Sequence, residues 1–239
     1  MPPTPQVIVP VAILEGDVIS ETLTEFLSTV PVVLLGYHEI PEQTLPDQAR
    51  DEHGEQASEE LAELADSFES HGANVETELV FTHDLPETLQ RVVDDVDRGV
   101  ILRPNPVREI ERVVVAVRRA DLVPAITATV TALVGPTDAA LTLLEEADQE
   151  GTEDSGDRFL SGMITTLEEA GIAKQRITLG SGTVEDVESM LLETSSEHDL
   201  VILGEDDPGI LETIFGTTTE QVAEQTLSPV LVVQQSLDE

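Results

Sequence analysis

Short apolar runs separated by stretches of helical period recur along the whole chain. Val7–Val11 is an apolar run of the length that predicts a buried strand. Asp17–Val30 has helical periodicity, with Val18, Leu23, Phe26, Leu27 and Val30 apolar. Val32–Leu35 predicts a second strand, followed by a loop to about Pro46. A long acidic helix is expected from about Asp47 to Glu69, with Leu61, Leu64, Ala65 and Phe68 as its inward stripe and Gly72 as its stop. Val75–Phe81 alternates as a strand. Asp84 is placed to cap a helix over Pro86–Val96, and Gly99–Leu102 closes the first series as a strand.

The second half repeats this order. Strands are predicted at Arg112–Val117, Ala140–Leu144, Gln175–Leu179 and Leu200–Leu203, with helices at Leu122–Leu133, Asp157–Glu169 and Val184–Ser195. Gly72 corresponds to Gly171, Val75 to Lys174 and Leu102 to Leu203. Strand–helix alternation signals a parallel sheet with helical crossovers, and self-similarity at so long a period signals tandem domains. The expected organisation is therefore α/β, with two tandem doubly wound parallel-sheet domains over residues 1–106 and 107–239. The proline pair in Arg103-Pro104-Asn105-Pro106 makes that stretch an extended linker.

The halves differ after their fourth strands. From Leu200 the chain reads as a strand, a Gly/Asp-rich loop, Gly216, a hydroxyl run Thr217–Thr219 that can cap a helix, and a last strand at Val230–Val233. The first half has no counterpart to this loop, helix and fifth strand, so it is read as truncated. A loop between a strand and a helix can hold phosphate on free backbone N–H groups. Val230, Leu231, Val232 and Val233 would be an open sheet edge, since the first half offers no fifth strand to meet them. The expectation is a homodimer paired through that edge.

This segment resembles the C-terminal part of universal stress protein domains, and each half resembles such a domain. The resemblance implies a Rossmann-like, doubly wound fold. It also implies a nucleotide site with an Asp at the end of strand one and a loop G-x-x-G, nine residues, then G-[ST]. Here Gly204 matches the first glycine, Asp207 falls on the second unless Gly209 takes its role, and Gly216-Thr217 matches the end of the motif one residue early. The strand-one Asp position holds Arg118, followed by Arg119, and in the first half holds Ala12 and Ile13. Glu205, Asp206 and Asp207 would repel a triphosphate unless Mg²⁺ intervened. Bound ATP of the usual form is therefore not expected in either half.

Charge sharpens this picture. The chain carries 49 acidic and 11 basic residues, for a net charge of -38, with one lysine, Lys174. Residues 1–110 contribute -18 and residues 111–239 contribute -20, so the acidity belongs to both halves rather than to a tail. This is the balance expected of a cytoplasmic protein of an extreme halophile, whose surface carboxylates are screened by molar salt. The acidity and the 3% aromatic content argue against nucleic-acid binding. No apolar run is long enough to span a bilayer, and Met1–Gln6 lacks the basic region of a signal peptide. The absence of cysteine excludes disulfides and thiolate chemistry.

Six of the eleven basic residues lie between Arg98 and Arg119. Arg118, Arg119, Gly204, Gly209, Gly216, Thr217 and Thr218 form the candidate nucleotide or anion site; in the alternative reading these arginines pair with neighbouring acids and join the domains. Glu205, Asp206 and Asp207 read as a solvated loop rather than a metal site, and the five histidines show no metal-ligand spacing. Ser181 lacks a nucleophile-elbow setting. The expected role is non-catalytic ligand sensing or protein interaction in a stress response. The alternatives are an ATP/Mg²⁺ binder with weak ATPase activity, or a soluble regulator of a membrane transporter. The charge reading yields a direct expectation. Lowering KCl from about 3 M to about 0.1 M lengthens the screening distance severalfold and should lower the thermal unfolding midpoint progressively. A midpoint independent of salt would contradict it.

Overall fold

The computed structural model describes residues 4–94, 96, 99–117, 119–145, 153–180, 194, 196–204, 209–215 and 228–234. Nine strands form one sheet: β1 (Gln6–Ala12), β2 (Pro31–Glu39), β3 (Asn74–Thr82), β4 (Gly99–Arg103), β5 (Arg112–Val117), β6 (Ala140–Glu145), β7 (Ile177–Leu179), β8 (Leu200–Gly204) and β9 (Val230–Val233). Their order is β3-β2-β1-β4-β9-β8-β5-β6-β7. The first four strands are mutually parallel, as are the last five. The two sets meet antiparallel where β4 pairs with β9, in the register Val100↔Val233 to Arg103↔Val230.

The apolar runs become the central strands because both faces of the sheet are covered. On one face Val7, Val9, Val113, Val115 and Leu231 pack with residues of helices α1 (Glu21–Leu27), α2 (Pro46–Ser70), α4 (Val123–Leu133) and α5 (Glu153–Glu169). On the other, Ile8, Ile101, Val114, Val201, Val230 and Val232 pack with α3 (Leu85–Asp94) and α6 (Gly209–Phe215). The edge strand β3 differs. Most of its side chains are at least partly exposed, and Glu76 and Glu78 guard it with charge.

Three expectations are corrected. Val230–Val233 is not an open edge. Its four residues are bonded to β8 on one side and to β4 on the other, so the strand is closed to a second chain. Among the described residues the first half has four strands, and β4 meets β9 of the second half directly. Second, Gly209–Phe215, read as loop, is a helix, because Ile210, Leu211 and Ile214 fall on one face and are buried against the sheet. Third, the helix expected over Asp17–Val30 is shorter, spanning Glu21–Leu27. The helix starts only at Glu21, after Ser20 Oγ accepts the Leu23 N–H at 3.4 Å, and Val18 is left 81% exposed. The helices expected at Val184–Ser195 and after Thr217 lie outside the described residues, Thr194 apart.

Short bonds tie the halves together across the linker. Thr22 Oγ1 donates to the Arg108 carbonyl at 2.8 Å, Thr29 Oγ1 to the Ala132 carbonyl at 3.1 Å, and Asn105 Nδ2 to the Ser228 carbonyl at 3.0 Å. The Asp199 carboxylate accepts the backbone N–H groups of Glu111 and Arg112 and pairs with the Arg112 guanidinium at 3.3 Å, fixing the start of β5 beside that of β8.

Candidate functional site

Ligands of doubly wound sheets bind at the carboxyl ends of the strands, where the direction of winding reverses. In the second half this point lies between β5 and β8. Gly204 ends β8 there, but its missing side chain serves packing. A Cβ at that position would collide with Cδ1 of Ile126 from α4 and come within 2.9 Å of Cγ1. Arg119 turns its guanidinium onto Asp121 through two bonds of 3.1 and 2.7 Å, and this pairing holds the Asp121 carboxyl below its usual range. Gly209 opens α6. Arg118, Gly216, Thr217 and Thr218 lie outside the described residues, as do Glu205–Asp207 and Ser181.

In the first half the reversal lies between β1 and β4, and there the strands part. Their pairing runs from Gln6↔Gly99 to Ile8↔Ile101 and stops. Pro10, further along β1, has no N–H with which to extend a ladder. A cavity of about 500 Å³ opens at this place. Pro10 and Tyr37 of the strands, the stretch Arg103 to Pro106, and Asp17, Val18 and Ile19 line it. Because the two sets of strands run in opposite directions, the carboxyl end of β4 meets the amino end of β9. The end of α6 reaches the same place, so Ile214 and Phe215 complete the lining from the second half.

Arg103 is the cation among the described residues of the lining. It is half-buried, and Nη1 donates to the Ile214 carbonyl near the end of α6 at 2.9 Å. A cation is favourable at a helix C-terminus. No carboxylate among the described residues forms a salt bridge with it. Burial holds its pKa below the ordinary arginine value, yet a guanidinium stays charged at any physiological pH. Gly16, also in the lining, adopts a left-handed conformation (φ +80°), which a side chain would strain. This turn brings Asp17 back so that Oδ2 accepts the Ala12 N–H at 3.2 Å.

Tyr37 stands between these charges. Burial pushes its phenol well above the usual tyrosine value; Asp17, Glu39 and Glu15 push it further, and Arg103 opposes them. Glu39 is also raised, first by burial and then by Glu15 and Asp84. Among the described residues the lining carries one carboxylate, Asp17, and one cation, Arg103. Asp84 itself caps α3, accepting the Glu87 N–H at 2.9 Å, and no group of acids or histidines among the described residues is arranged to hold a metal ion.

The sequence reading placed its candidate site in the second half, and the cavity lies in the first. Two signals pointed to it: a proline inside the first strand, Pro10, and the chain's one tyrosine at the end of the second, Tyr37. Arg103 belonged to the arginine cluster already noted.

The fold is that of an α/β protein with one mixed, mostly parallel sheet and a cavity at strand ends. The model of the universal stress protein family matches residues 115–234, about half of the chain, and the chain belongs to that family. The crystal structure of a universal stress protein from Archaeoglobus fulgidus DSM 4304 superposes with a TM-score of 0.62 at 17% identity, covering 98% of this chain and 97% of that one. A functionally unknown protein from Pseudomonas aeruginosa PAO1 gives 0.52 at 14% identity, covering 97% and 92%. A putative universal stress protein from Pseudomonas aeruginosa UCBPP-PA14 gives 0.52 at 13% identity, covering 98% and 93%. At these identities the likeness is one of fold. No functionally curated protein matches the chain. No helix among the described residues is long and apolar enough to cross a membrane.

The environment of Tyr37 has a measurable consequence. An unfolded tyrosine titrates near about pH 10. The raised folded value means that this group's contribution to stability is complete below that pH and is lost as pH rises through the folded value, because the unfolded chain releases the proton first. Tyrosinate absorbance of the folded protein should therefore emerge only well above about pH 10, and later still in Arg103→Gln, which loses the cation that opposes the shift. Ionisation at the ordinary tyrosine value would contradict the described burial.

Proposed function

We propose that the chain is a non-catalytic, ligand-sensing member of the family, acting in a stress response through the cavity of its first half. The observation that carries this reading is Arg103. In a chain of net charge -38 this guanidinium is half-buried at a strand end, has no carboxylate partner among the described residues, and faces a cavity of about 500 Å³. Clefts of that size suit small molecules. The same guanidinium holds the Ile214 carbonyl, so a ligand that engages Arg103 acts on the contact between the halves. That is a route from occupancy to a change a partner can read. Gly204 is filled by Ile126 and Arg119 is engaged by Asp121, which favours this reading over ATP/Mg²⁺ held in the family's usual manner in the second half.

Protein purified in molar KCl should release a small molecule on denaturation, detectable by mass spectrometry, and Arg103→Gln should release much less. Calorimetric titration with ATP/Mg²⁺ under the same conditions should show neither tight binding nor turnover. Saturable ATP binding accompanied by hydrolysis would overturn the reading.

A further inference from the structure

The lining of the first-half cavity restricts what it can hold. The backbone of Arg103-Pro104-Asn105-Pro106 offers little to a phosphate chain, because both prolines lack an N–H. The Asn105 side chain already donates to the Ser228 carbonyl. Arg103 is the one cation of the lining among the described residues, and Asp17 lines the cavity as well. Glu15 and Glu39 lie close enough to act on the same phenol. A polyanion would find one positive group and several negative ones.

Each charged group has capacity to spare. Arg103 carries five N–H donors, and among the described residues one is engaged, by Ile214. Asp17 uses Oδ2 for the Ala12 N–H, and Oδ1 accepts no bond among the described residues. Both groups act on Tyr37, Asp17 raising its pKa and Arg103 lowering it, so the phenol lies within reach of a positive and a negative pole. Apolar side chains share the lining with these polar groups. Ile19, Leu85, Ile214 and Phe215 line the cavity, and so does Val18, which at 81% is the most exposed large hydrophobic side chain among the described residues.

We propose that this cavity binds a free apolar α-amino acid. Its carboxylate sets on Arg103, its ammonium on Asp17 with the Tyr37 hydroxyl beside it, and its side chain against Val18 and Phe215. Two opposite charges on one small molecule match the two poles of the cavity, and an aliphatic side chain covers Val18. This assignment rests on the sensing function proposed above and specifies its ligand class.

Tyr37 provides the readout. The chain has one tyrosine and no tryptophan, so its intrinsic tyrosine emission comes from the cavity lining. Titration of the full chain in molar KCl with L-leucine should change that emission saturably. N-acetyl-L-leucine lacks the ammonium and L-leucinamide lacks the carboxylate, and each should bind about 10-fold more weakly or worse. Arg103→Gln should lose the preference for leucine over leucinamide, and Asp17→Asn the preference for leucine over its N-acetyl derivative. The two variants lose different preferences, which a general loss of folding would not produce. Equal binding of either derivative by the wild type, or no response to leucine, overturns the amino-acid assignment. If leucine fails while the small molecule released from purified protein still changes Tyr37 emission, the ligand class is wrong and the cavity remains the sensing site. If that molecule also leaves Tyr37 unchanged, both fail.

Discussion

The fold depends on one strand being used twice. Four residues, Val230–Val233, complete the ladder of the second half through β8 and supply the only neighbour of β4 on its outer side. All four are buried. Without them β4 and β8 would each present an apolar strand with unpaired backbone groups, a state that favours aggregation. The outer side of β4 is thus covered within the chain. The two halves consequently share a continuous sheet and both of its packed faces.

Direction follows from that sharing. Antiparallel pairing of β4 with β9 turns the carboxyl ends of the first half toward the amino ends of the second. The linker after Arg103 therefore needs no crossover to reach β5, and the end of α6 arrives beside the end of β4. The cavity is a consequence of this junction. One half supplies Tyr37, Asp17 and Arg103, and the other supplies Ile214 and Phe215. The bond from Arg103 to the Ile214 carbonyl crosses the same boundary, so a change at the ligand site is also a change at the joint between halves.

Most of the architecture was legible in the chain. Val113–Val117 and Leu200–Leu203 are apolar throughout because these strands are buried on both faces, and that pattern survives any neighbour. The parallel order of each half followed from strand–helix alternation. The pairing of Val230–Val233 with β4 was not legible, because an apolar tetrapeptide carries no mark of its partner; an open edge and a central strand read alike. Gly204 illustrates a second difficulty. A glycine at a strand end suits a phosphate and suits an isoleucine from a packed helix equally, and only the position of Ile126 distinguishes them. Helix α6 was missed because its single turn of buried side chains, Ile210, Leu211 and Ile214, is too short for periodicity to register. The cavity was signalled by Pro10, which is a liability in a central strand unless pairing ends nearby.

The shared strand can be tested through the one tyrosine, because Tyr37 lies in the first half and Leu231 in the second. Leu231 is fully buried, and Leu231→Ala should cost about 2–5 kcal/mol. In urea, the transition followed by Tyr37 emission and that followed by far-ultraviolet circular dichroism should shift together, as a single cooperative unfolding of both halves. A Tyr37 transition that stays in place while the circular dichroism splits into two steps would show that β9 stabilises the second half alone, and would contradict the account.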